Sequence, residues 1–161
     1  MKIQLDYKID IEVKESNKLK EKLTIFFREF TQAEKKQHEV LRKKFEKIFK
    51  KAQKIGKKQS ALEKKAELFE LNENYEKALK CIEDKDKLDD ELEELMDELD
   101  EIGGGNQEDF AEKTAEDRFE KLVSGKDKEK LETYAQIKGY VALMRDLDLA
   151  KSELEKKQSG E

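Results

Sequence analysis

The stretch LRKKFEKIFKKAQKIGKKQSALEKKAELF, residues 41–69, decides how this chain folds. Leu41, Ile48, Ile55, Leu62 and Phe69 recur every seven residues. Phe45, Ala52, Gln59 and Ala66 fall between them on the alternate step. An apolar seam held for about four heptads belongs to a helix that lies along another helix. Thr31 and Glu34, just upstream, have the spacing of a capping box, so the helix is expected to start there. Beyond Phe69 the phase slips, because Glu73 and Glu76 occupy the next seam positions. A second seam follows at Ala78, Cys81, Lys85, Leu88, Leu92, Leu95, Leu99 and Ile102. The slip falls on Leu71-Asn72-Glu73-Asn74, where either asparagine can end or cap a helix.

Charge selects the arrangement of the two seams. Lys35, Lys36, Arg42, Lys43, Lys44, Lys47, Lys50, Lys51, Lys54, Lys57 and Lys58 crowd the first against Glu39 and Glu46. The second carries an acidic run from Glu83 to Glu101 broken by Lys85 and Lys87. A straight helix through both would be roughly 105 Å long and would leave half of itself without an intramolecular partner. A turn near 71–75 instead sets Lys58 near Leu88, Lys50 near Met96 and Lys44 near Ile102. Flanking charges specify orientation in this way although each exposed pair is worth only tenths of a kcal/mol. An antiparallel pairing between two chains satisfies the same charges.

Around this arm the rest of the chain can be placed. Ile3, Leu5, Tyr7, Ile9, Ile11 and Val13 alternate with polar residues, and Leu23, Ile25 and Phe27 resume that face after the turn-forming Glu15-Ser16-Asn17-Lys18. Period two predicts a β-hairpin, roughly 2–14 and 20–30, with one dry face. A lone hairpin is marginal in water, so helices must cover that face, and its free edges are candidates for pairing with another strand. Gly103-Gly104-Gly105-Asn106 ends the second arm as a flexible joint. A third helix is expected from Asn106, with Asp109 at N3, and a fourth from Ser124, with Asp127 at the capping spacing, to about Lys157. The fourth is the most apolar and is expected to be the central packing partner of the β-hairpin and the third helix. Gly139 within it means either a close helix approach or a break. The expected fold is mainly α (α+β). Its parts are a β-hairpin over 1–31, a long antiparallel charged helical hairpin over 32–102, the joint at 103–106 and two helices over 107–157.

Composition limits the function. Charged residues make up 47 % of the 161 and apolar ones 35 %, yet the formal net charge is only −5. With strong periodicity this means elongated folded helices rather than disorder. No run reaches membrane-spanning length, no apolar signal core opens the chain, and the single Cys81 excludes an internal disulfide; a cytoplasmic location is the expectation. No catalytic constellation is visible, and no cofactor or metal is expected. An acidic loop starting at Asp84 fails as a calcium site, because Leu88, Asp89 and Leu95 stand where ligands and glycine belong. His38 is the only histidine, which leaves Cys81 without a base and any transition metal without a set of ligands. Gly103–Gly105 and Ser124-Gly125-Lys126 lack the spacing of a phosphate loop. Residues 61–82 look like one tetratricopeptide helix turn, but no second copy follows.

Two classes of function remain. The first is protein–protein assembly through the hairpin edge and apolar helix faces, with Ile9, Ile11, Ile25, Phe27, Tyr140 and Met144 as candidate partner-binding residues and a homo-oligomer as one form. The alternative is nucleic-acid association through Lys43, Lys47, Lys50, Lys54 and Lys58. Only Arg28 and Arg42 accompany those lysines in the first half, and no exposed aromatics interleave them for stacking. The opening adds to the first class. Leu23-Thr24-Ile25-Phe26-Phe27-Arg28-Glu29-Phe30-Thr31 running into the charged helix at Gln32-Ala33-Glu34-Lys35 resembles the first fifty or so residues of phage tail assembly chaperones. The resemblance implies a small non-enzymatic protein of the host cytoplasm that binds a tape-measure protein and delivers tail-tube subunits. It carries over no site residue.

Overall fold

The computed structural model describes residues 6–15 and 18–160. Ile3 and Leu5 of the alternating strand, and Ser16 and Asn17 of its turn, lie outside the described residues. The elements are β1 (Asp6–Glu15), β2 (Lys18–Arg28), α1 (Gln32–Leu71), α2 (Tyr75–Ile102), α3 (Gln107–Leu122), β3 (Val123–Ser124), α4 (Lys128–Lys138) and α5 (Tyr140–Gln158). They form two compact units, one of residues 1–35 with 111–161 and one of residues 36–110.

In the first unit β1 and β2 pair antiparallel, with Tyr7 opposite Phe27, Ile9 opposite Ile25 and Ile11 opposite Leu23. The odd-numbered face is dry, as the alternation requires. Phe119 of α3, Leu131 of α4, and Leu143, Met144 and Leu147 of α5 bury it. The last apolar segment is therefore a main partner of the hairpin, but it is two helices rather than one. Gly139 breaks it at φ 91° and ψ 147°, a conformation open essentially to glycine alone. Glu112 on α3 seals the break, its carboxylate accepting from the amides of Tyr140 and Val141 at 2.8 Å each.

Two further differences concern the sheet edge and the fourth cap. β3 adds to β2, placing Ser124 opposite Phe26 and Val123 opposite Phe27, so the edge of β2 is occupied there. Asp127, expected to complete a cap begun by Ser124, makes no cap bond; its carboxylate accepts from the Thr24 amide of β2 at 2.8 Å. β1 stands at the other end of the strand order.

The expected start of α1 is present in full. Glu34 N–H donates to the Thr31 hydroxyl at 3.2 Å and Thr31 N–H donates back to Glu34 at 3.0 Å. Arg28, at the end of β2, grips both Glu34 oxygens at 2.7 and 3.0 Å. That guanidinium, with the Thr31 amide, holds the Glu34 carboxyl at about 2, below its ordinary 4.5. A lowered acid stabilises the fold fully above the unfolded value, and its contribution is lost as pH falls through the folded one. The first turn of α1 is expected to lose amide-exchange protection between pH 4.5 and about 2, and Glu34→Gln to abolish that step.

In the second unit α1 and α2 lie antiparallel. At the open end Phe45, Ile48, Leu99 and Phe110 form a core, with the Phe45 and Phe110 rings stacked 4.1 Å apart. Leu41 is exposed, so the packed seam begins at Phe45. The reason is the register: α2 has ended at Ile102 before it can reach Leu41. Further along, the Gln59 side chain donates to Asp89 and to the Lys85 carbonyl, and Lys85 pairs with Glu63 at 3.7 Å. These contacts match a fold about residue 73. Among the described residues this Lys85–Glu63 pair is the only ion pair between the arms, and its polarity is opposite to that of the arms themselves. The basic and acidic halves therefore act on each other as fields rather than through direct pairs.

Both asparagines of the turn are used. Asn74 N–H bonds Phe69 O at 2.8 Å and Glu73 N–H bonds Glu70 O at 3.0 Å, closing α1 in a Schellman motif. Asn72 Nδ2 donates to Leu68 O, and Asn74 Oδ1 caps α2 at Lys77 N. The left-handed position falls on Glu73, at φ 57°. Glycine has no Cβ to strain there, so Glu73→Gly is expected to raise stability by about 0.5–1 kcal/mol in urea denaturation. At the far end Asn106 and Asp109 form the expected cap of α3.

Candidate functional site

The helical hairpin of residues 36–110 changes character along its length. Near its open end the seam is built from large side chains, Phe45, Ile48 and Leu99. Near the turn the buried seam residues are small, namely Ala66, Ala78 and Cys81. Small seam residues let two helices approach closely but leave little apolar surface between them. Five other large apolar residues of that region lie off the seam. Leu68 and Leu71 in the last turns of α1, and Tyr75, Leu79 and Ile82 in the first turns of α2, are all exposed, Leu71 at 81 % and Tyr75 at 66 %. They lie within about 10 Å of the turn along the two helix axes. Val40 and Leu41 are the other large apolar residues exposed in this unit among those described. Scattered exposed leucines are ordinary, but five such residues at one end of a charged hairpin make that end a candidate interaction surface.

The surface rests on a rigid base. The Schellman closure and the Asn74 cap fix the turn, and Lys77 lies 5.7 Å from the centre of the Phe69 ring, tying the two arms beside it. None of the five exposed residues belongs to the seam, so the hairpin does not depend on them for packing.

The residues singled out from the sequence fall elsewhere. Ile9, Ile25, Phe27 and Met144 are buried in the core of the first unit, and Ile11 and Tyr140 are half-buried against it. They pack inside this unit, because the dry face of the hairpin is occupied by the chain's own helices. Lys43, Lys47, Lys50, Lys54 and Lys58 are all exposed on α1. They do not form one free basic face, because Lys54 and Lys58, with Lys51, border a shallow groove whose other wall holds Glu91 and Glu94. The five apolar residues near the turn lie off the heptad phase, so the seam pattern does not mark them. The available signal was that disagreement itself, five large apolar residues out of register beside a slip.

His38 and Cys81 sit on different arms, some 27 residues apart in hairpin register, which is about 40 Å along the axis. Cys81 is buried. Among the described residues no group of three His, Cys, Asp or Glu is placed to hold a metal ion. No helix among the described residues is long and apolar enough to cross a membrane. Comparison with protein-family models, with curated proteins and with solved structures finds no match in any of the three.

Proposed function

We propose that this chain is a non-enzymatic assembly factor of the cytoplasm, a chaperone or scaffold, that engages a protein partner through the apolar end of its helical hairpin. One observation carries the proposal: five of the seven large apolar side chains exposed in residues 36–110 bracket the turn. A partner helix or strand that covers them removes apolar area from water without disturbing the seam. The N-terminal resemblance favours a tail assembly chaperone as the specific form, with a tape-measure or tube protein as partner. That resemblance draws on the stretch Leu23–Thr31 running into the charged helix at Gln32-Ala33-Glu34-Lys35.

The test is affinity capture from the native lysate by the whole chain and by Leu71→Asp/Leu79→Asp. Both substitutions are at exposed sites, so helix content is expected to be unchanged. The captured partner is expected to bind the variant at least about 30-fold more weakly, the scale of losing an interface anchor. Equal recovery by the two proteins rejects the proposal. The nucleic-acid alternative rests on the exposed Lys43, Lys47 and Lys50. It requires a complex with DNA or RNA that weakens steeply with salt and is lost in Lys43→Glu/Lys47→Glu/Lys50→Glu.

A further inference from the structure

Among the described residues the strand order runs β1-β2-β3, so β1 has β2 on one side and no strand on the other. Edge strands are ordinarily kept from pairing by proline, by a bulge, by a charge on the dry face or by lysines on the wet one. From Asp6 to Lys14 there is no proline, and every charge stands at an even, wet-face position. The hairpin does contain a register irregularity, but it belongs to β2. The pairing passes from Val13 opposite Glu21 to Lys14 opposite Leu19, which leaves Lys20 as the extra residue and β1 unbroken. Lysine on the wet face is the remaining device, and here acids accompany it: Asp6, Lys8, Asp10 and Glu12 are all exposed.

We infer that β1 pairs antiparallel with β1 of a second copy, Asp10 facing Asp10 across a two-fold axis. An axis normal to the sheet reverses the strand and keeps each face on its own side, so the dry face of one copy continues that of the other. Opposed residues then share a face, even positions meeting even ones, and charge chooses among the registers that remain. Centred on residue 10, Lys8 faces Glu12 and Asp6 faces Lys14, each twice, against a single meeting of Asp10 with itself. Centred on residue 9, two contacts of Asp6 with Glu12 cancel two of Lys8 with Asp10. Centred on residue 11, Lys8 meets Lys14 and Asp10 meets Glu12, with no attraction between any of them. The favoured register also serves the dry side. It brings Ile11 and Val13, which are half-exposed, beside Ile9 and Tyr7, which are buried. Asp10 keeps its own partner, accepting from the Thr24 hydroxyl at 2.6 Å.

Light scattering on the whole chain at about 100 μM tests the pairing, and the parent mass is expected to be twice 18.9 kDa. Asp10→Asn removes the like charges at the axis and is expected to tighten the dimer about threefold or more. Lys8→Glu and Glu12→Lys are each expected to weaken it about tenfold or more. Mixed in equal amounts, those two variants set acids on one copy against lysines on the other. They are expected to recover pairing at the parent's strength, which a misfolded variant does not do. Cross-linking reads the register directly. Asp10→Cys/Cys81→Ser is expected to oxidise to a linked dimer at least about tenfold faster than Lys8→Cys/Cys81→Ser, because residue 8 lies about 14 Å from its counterpart. Leu71→Asp/Leu79→Asp is expected to dimerise like the parent, so loss of the partner at the apolar end and loss of strand pairing are separate results. A monomeric parent leaves the edge to some other strand and overturns the inference. So does a dimer indifferent to the charges at 8 and 12, or equal cross-linking from positions 8 and 10.

Discussion

Phe119→Ala is expected to destabilise the unit formed by residues 1–35 and 111–161 by about 3–5 kcal/mol, lowering its melting temperature by roughly 12 °C or more. Phe119 is fully buried, among the largest such side chains in the chain. Its ring lies 5.5 Å from that of Tyr140 at a tilt of 57°, and Lys128 sits 5.6 Å from its centre. It packs in the same cluster as Ile9, Ile25 and Phe27 of the sheet and Leu143 of α5. Truncation leaves a cavity where helix and sheet meet, and the sheet has too few strands to hold itself together without that contact. Urea denaturation followed by tyrosine fluorescence measures the effect well, because Tyr7, Tyr134 and Tyr140 all lie in or against this cluster. An unchanged midpoint contradicts the packing.

Gly139→Ala is expected to cost about 3 kcal/mol, much more than the same change in an ordinary loop. Two effects add. The backbone at φ 91° and ψ 147° strains any residue with a Cβ by about 1–3 kcal/mol. The new Cβ also meets Glu112 Oε1 at 2.9 Å, displacing the carboxylate that satisfies the first two amides of α5. Glu112→Ala separates the two, since it removes the cap and leaves the backbone strain-free; a loss of about 1–2 kcal/mol is expected. If Gly139→Ala proves neutral in thermal melting, the segment is one continuous helix and the break is wrong.

What the sequence reveals here depends on how local the cause is. The strand alternation through Tyr7, Ile9 and Ile11 and the boxes at Thr31 and Asn106 are set by residues within a few positions of one another, and each is found where the pattern puts it. The return of the chain at Asn72–Asn74 was legible from a phase slip and a change of sign in charge, two signals that agree. The break at Gly139 was open between two readings because its other half, Glu112, lies 27 residues away. β3 is two residues long and has no period to read. The candidate site illustrates a different limit. Alternation shows that Ile9, Ile25 and Phe27 share a dry face, but not that the chain's own α3 to α5 keep it dry. Leu71, Tyr75 and Leu79 belong to no seam, so they stand out only once the turn gathers them.

The apolar end exists only if the acidic arm folds back along the basic one within a single molecule. Spin labels at residues 47 and 98, in a chain with Cys81→Ser and diluted with unlabelled protein, measure that return directly. Packed helices lie 8–10 Å apart, so a separation of roughly 10–25 Å, label lengths included, that persists on dilution is the expected result. A distance near 75 Å, that of a continuous helix over the same residues, or a short distance that disappears on dilution contradicts it.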